Sequence, residues 1–99
     1  MGYVISQVYQ NNHWGIRQVK TLLEAEGITL DKKLDYICCL YDDDYNPVAT
    51  GSCFGNTLRC FAVSKSHQGE GLLNQIMGHL IQIQFERGNY HLFLYTKCD

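Results

Sequence analysis

Ninety-nine residues hold one small domain, and 45% apolar content with a single proline, Pro47, excludes a disordered chain. A formal net charge of −2, with eight Lys and Arg spread thinly from Arg17 to Lys97, offers no basic stripe and argues against nucleic acid as a partner. No apolar run approaches the ~20 residues that a bilayer span requires, so no membrane role is expected.

The chain opens on Tyr3–Tyr9, rich in Tyr, Val and Ile, which predicts a strand. Met1–Gln7 lacks the basic and apolar regions of an export signal, so a cytoplasmic protein is expected. Asn11 and Asn12 offer a helix N-cap. A helix follows, with Trp14, Val19, Leu22 and Leu23 as its expected buried stripe and Gly27 as its C-terminal stop. Residues 35–41, Asp-Tyr-Ile-Cys-Cys-Leu-Tyr, predict a second strand. Asp42-Asp43-Asp44 with Asn46-Pro47 is turn chemistry, since it lacks the glycine and distal glutamate of a calcium loop. Residues 48–54 return as an antiparallel strand, and Gly55-Asn56 makes the next turn.

Residues 57–63 carry apolar side chains on both faces, which predicts a central strand covered on both sides. A polar loop, Ser64 to Gly71, leads into a strongly amphipathic helix about four turns long. Its apolar face is Leu72, Leu73, Ile76, Met77, Leu80 and Ile81. His79 falls on the polar face, and Arg87-Gly88-Asn89 ends the helix. Residues 90–96 predict a fifth strand.

The order β-α-β-β-β-α-β, over one domain of residues 1–99, predicts an α+β (mixed α/β) fold with a mixed sheet. The last strand–helix–strand unit demands a parallel pair, because a helix crosses over between its strands.

The five cysteines are an odd count without zinc spacing: Cys38 and Cys39 are adjacent, and Cys53, Cys60 and Cys98 stand alone. Adjacent strand residues point to opposite faces, so Cys38 and Cys39 do not suit one metal. Reduced thiols and no metal site are expected.

The glycine-rich turn between a strand and a helix is the one element with a chemical signature. Helix N-termini leave backbone N–H groups unpaired, and the helix dipole favours anions there. Gly69 and Gly71 let the backbone approach a phosphate closely, with the Glu70 side chain directed outward. The stretch is neither a P-loop nor a dinucleotide fingerprint, since no Lys-Ser/Thr follows and Asn74 stands where the last glycine belongs.

Val63-Ser64-Lys65-Ser66-His67-Gln68-Gly69-Glu70-Gly71-Leu72-Leu73 resembles the GNAT acetyltransferase motif V-x-x-x-x-[RQ]-G-x-G-x-[GA], departing at Leu73. Leu58–Val63, Gln68–Leu72, Glu86-Arg87 and His91-Leu92-Phe93-Leu94-Tyr95-Thr96-Lys97 together resemble the N-terminal domain of the citrate lyase ligase family. The resemblance implies a GNAT-like fold that binds acetyl-CoA (or CoA) or acyl-phosphopantetheine. It implies a pantetheine arm held by the backbone of Phe61 and Val63, on either side of Ala62. It implies a pyrophosphate cradled by N–H groups of Gln68, Gly69, Glu70, Gly71, Leu72 and Leu73.

It further implies the acyl carrier subunit of citrate lyase as partner, with ATP used only in a downstream nucleotidyltransferase domain. The chain then reads as a fragment without full catalytic machinery. Tyr95 is the one weak catalytic candidate, and His67 is either a phosphate contact or a solvated loop histidine. Two other readings stay open: a free-standing N-acetyltransferase, and a non-catalytic interaction module that positions the acyl carrier substrate or forms a homodimer through an unpaired strand edge.

Overall fold

The apolar alternation of the chain condenses into one sheet with a helix on each face. The computed structural model describes residues 2–30 and 34–94. Its elements run β1 (Val4–Gln7), α1 (His13–Ala25), β2 (Tyr36–Tyr41), β3 (Pro47–Phe54), β4 (Thr57–Val63), α2 (Leu72–Glu86) and β5 (Phe93–Leu94). The strands lie in the spatial order β1-β2-β3-β4-β5. β1 to β4 pair antiparallel, and α2 carries the chain across to a parallel β5. This is the mixed sheet that the element order predicts.

Asn12 caps α1, its side-chain oxygen accepting the Gly15 N–H at 3.1 Å. Gly27 follows the helix with φ of +72°, the left-handed turn that favours glycine. Gly15, Val19, Leu22 and Leu23 form its buried stripe. Trp14 does not belong to it. The indole is 67% exposed, because residue 14 lies about 100° around the helix from Gly15, outside the strip that faces the sheet.

In α2 the buried line is narrower than the predicted face. Leu72, Ile76, Leu80 and Gln84 are buried, spaced four residues apart, while Leu73 is exposed and Met77 and Ile81 are half-buried.

Strand β2 shows why the sheet needs both helices. Tyr36, Cys38 and Leu40 pack in the core that contains Leu72, Ile76 and Leu80 of α2. Ile37 and Cys39 pack in the core that contains Val19, Leu22 and Leu23 of α1. Adjacent cysteines therefore do point to opposite faces.

β2 and β3 are the fully covered strands, not β4. β4 keeps Cys60, Phe61 and Val63 only half-buried, and a cleft opens over Phe61 and Val63. The β2–β3 turn forms as predicted. Asp42 Oδ1 accepts the N–H groups of Asp44 and Asn46, both at 2.9 Å, and these bonds hold its carboxyl below the usual carboxylate range. No helix among the described residues is long and apolar enough to cross a membrane.

Candidate functional site

A cleft of about 520 Å³ opens where β4 runs out into the loop before α2. Its floor is Phe61, Ala62 and Val63, and its loop wall is His67, Gln68, Gly69, Gly71, Leu72, Leu73 and Asn74. Every residue singled out from the sequence for binding lines it except Glu70. Leu73, the departure from the glycine-rich motif, lies 42% exposed along this wall, so its side chain occupies space that Gly or Ala would leave open.

Local bonding sets the loop. A single 3₁₀ turn, Lys65–His67, follows the strand, with the His67 N–H donated to the Ser64 carbonyl at 2.9 Å. Ser64 donates its own N–H to Val48, tying the loop's start to β3. The Gln68 amide turns back to the Val63 carbonyl at 3.3 Å. His67 Nδ1 lies 2.9 Å from the Ser66 hydroxyl, and the half-buried ring lines the cleft wall.

The backbone then takes the left-handed conformation twice, at Gly69 (φ +89°) and Gly71 (φ +76°). A side chain is strained at both positions, which is the physical reason for the two glycines. Gly71 is the N-cap of α2 and provides no side-chain cap. The first N–H groups of the helix, at the cleft-lining Leu72, Leu73 and Asn74, thus have no side-chain acceptor from the cap. With the positive end of the helix dipole behind them, they suit an anion.

The cleft's other wall comes from sequence far away. Glu26 and Ile28, at the end of α1, complete the lining. Glu26 Oε2 is buried and has no hydrogen-bond partner among the described residues. No local pattern links residues 26–28 to the loop, so only the folded chain brings them together.

The catalytic candidate and the other reactive side chains fall elsewhere. Tyr95 lies outside the described residues. Cys60 adopts φ of +60° in mid-strand, and its thiol donates to the Thr29 carbonyl at 3.8 Å. His79 is not a solvated surface histidine. Its Nε2 lies 2.8 Å from the hydroxyl of Tyr36, a residue that is only 8% exposed, in a polar cluster with Arg87 and Asp35. That cluster gathers around the C-terminal end of α2, away from the loop at its start.

No protein-family model matches the chain. Among solved structures, a GNAT family acetyltransferase from Staphylococcus aureus superposes with a TM-score of 0.75 at 10% identity, covering 99% of this chain and 89% of that one. Glucosamine-6-phosphate N-acetyltransferase from Arabidopsis thaliana gives a TM-score of 0.71 at 13% identity, covering 100% and 84%. The chain has the GNAT acetyltransferase fold. At these identities the likeness establishes the GNAT architecture and not a reaction.

Sequence similarity points to one group within that architecture. A citrate (pro-3S)-lyase ligase from Haemophilus influenzae is 30% identical over 81 residues, 82% of this chain and 24% of that protein. The Escherichia coli protein of the same name is 27% identical over 96 residues, 97% of this chain and 27% of that protein. This GNAT-fold chain thus spans about a quarter of the length of the curated relatives it matches.

Proposed function

We propose that this chain binds acetyl-CoA or an acyl-phosphopantetheine, as the GNAT-like domain of a citrate lyase ligase. The observation that carries the reading is the cleft itself. One apolar strand, Phe61–Val63, runs into a loop whose two left-handed glycines open onto an uncapped helix N-terminus.

The group would fit in two parts. The N–H groups of residues 68–73 suit a pyrophosphate, as fixed donors beside the positive end of a helix. The floor of Phe61, Ala62 and Val63 suits the pantetheine arm, which combines apolar methylenes with amides that the strand's backbone can match. The acyl carrier subunit of citrate lyase is the partner that the sequence similarity favours, since its prosthetic group presents the same arm. The reading assigns binding to this chain, and no acid or base for transfer.

Isothermal titration with acetyl-CoA tests it. Saturable heat is expected, together with a rise in melting temperature. Gly71→Ala should weaken binding about tenfold, because a left-handed alanine costs roughly 1–2 kcal/mol and the loop relaxes away from its donor geometry. Neither heat nor a thermal shift at millimolar acetyl-CoA would overturn the reading.

A further inference from the structure

The loop presents an electrostatic conflict. Glu70 stands between the two glycines of a segment whose wall suits an anion, and a carboxylate beside a bound phosphate repels it. Yet of residues 67–74, Glu70 is the one that does not line the cleft. Its Oε1 instead accepts the phenolic hydrogen of Tyr3 at 2.6 Å, across 67 positions of sequence. That distance lies in the range for a hydroxyl donating to a carboxylate.

Tyr3 is itself braced. It packs half-buried against the α2-side core just ahead of β1, and its ring meets the His67 ring edge-on, with centroids 6.3 Å apart. Gly2 N–H donates to Asp43 Oδ1 at 3.2 Å, tying the chain just before it to the β2–β3 turn. The neighbouring carboxylates, Glu70 above all, push the Tyr3 phenol above its ordinary value, so it stays protonated and remains a donor at neutral pH.

We propose that Tyr3 is a positioning residue for the anion loop, holding the Glu70 carboxylate outside the cleft so that the loop presents backbone N–H groups and no opposing charge. This rests on the reading of the cleft as a site for the phosphates of CoA. Released from Tyr3, Glu70 can swing toward the phosphates, and affinity falls.

The test is a double-mutant cycle read by titration with CoA: wild type, Tyr3→Phe, Glu70→Gln and Tyr3→Phe/Glu70→Gln. Melting curves check that each variant folds. Tyr3→Phe should weaken CoA binding about fivefold at low salt, the scale of one added like charge partly screened by solvent. The loss should shrink as salt is raised, and the double variant should match Glu70→Gln within twofold.

Two outcomes overturn the proposal. In one, Tyr3→Phe binds CoA as wild type does. In the other, it weakens binding by the same factor with and without the Glu70 charge, which would make Tyr3 a plain support of the loop. If wild type gives no heat with CoA, the reading of the cleft fails first and this one falls with it.

Discussion

Gly51 is where the floor of the cleft and the α2-side core meet. The β3–β4 register passes from Thr50↔Ala62 to Ser52↔Arg59, so Cys60 and Phe61 together face Gly51. This is a β-bulge, and the left-handed Cys60 (φ +60°) is its strained member. The bulge turns the Phe61 ring over Gly51. A Cβ added there would clash with Ile76 Cγ2 and lie 2.8 Å from Phe61 Cε1. Gly51→Ala should therefore cost roughly 1–3 kcal/mol through overpacking, read from the urea midpoint. Because Phe61 lines the cleft, acetyl-CoA binding should weaken in the same variant. A midpoint equal to wild type would show that Ile76 and Phe61 have room to yield.

Helix α2 joins the two ends of the fold, and a buried polar side chain anchors its C-terminal end. Gln84 is 0% exposed. Its amide donates to the Gly55 carbonyl at 2.7 Å, and its Oε1 accepts from Asn89 Nδ2 at 2.8 Å. These two bonds fasten the helix end to the β3–β4 turn and to its own exit. Gln84→Leu keeps the volume but leaves these partners without Gln84. It should cost about 1–2 kcal/mol and speed amide exchange around Gly55 and Asn56. A neutral substitution would mean that solvent satisfies both groups equally well.

The same helix shows what the sequence made legible. Its existence, start and crossover role follow from apolar periodicity and from Gly69-Glu70-Gly71. The glycine-rich loop is a local feature of one continuous stretch, so it could be read before folding, whereas Phe61–Val63 entered only through the family resemblance. Gln84 could not, because periodicity places polar residues outside, and its partner Gly55 lies 29 residues away. Trp14 misled for a related reason, since a large apolar residue near a helix start need not fall on the inward strip. Glu26, Ile28 and Tyr3 reach the site only through tertiary packing, and no spacing rule connects them to residue 68.

At the scale of the molecule, the sheet separates two cores, and the thiols are built into both. Cys38 and Cys53 lie in the α2-side core and Cys39 in the α1-side core, all three with no exposed surface. Burial is the first cause that pushes each thiol above its ordinary value of 9.0, Cys38 to about 12 and Cys39 and Cys53 to about 11. Below about pH 8 the folded and unfolded chains both hold these protons, and the thiols leave stability independent of pH. Between pH 9 and about 11 the unfolded chain releases them while the folded chain keeps them, so rising pH favours unfolding. The limiting slope is about 1.4 kcal/mol per pH unit for each thiol. These thiols should thus leave the urea midpoint steady from about pH 7 to 8, start its decline near pH 9 and make it fall steeply by about pH 10.5. Cys38→Ala should make the decline shallower even though it lowers the plateau by opening a small cavity. An unchanged midpoint at pH 10.5 would mean that water reaches these thiols in the native state, and that the two cores are looser than their packing indicates.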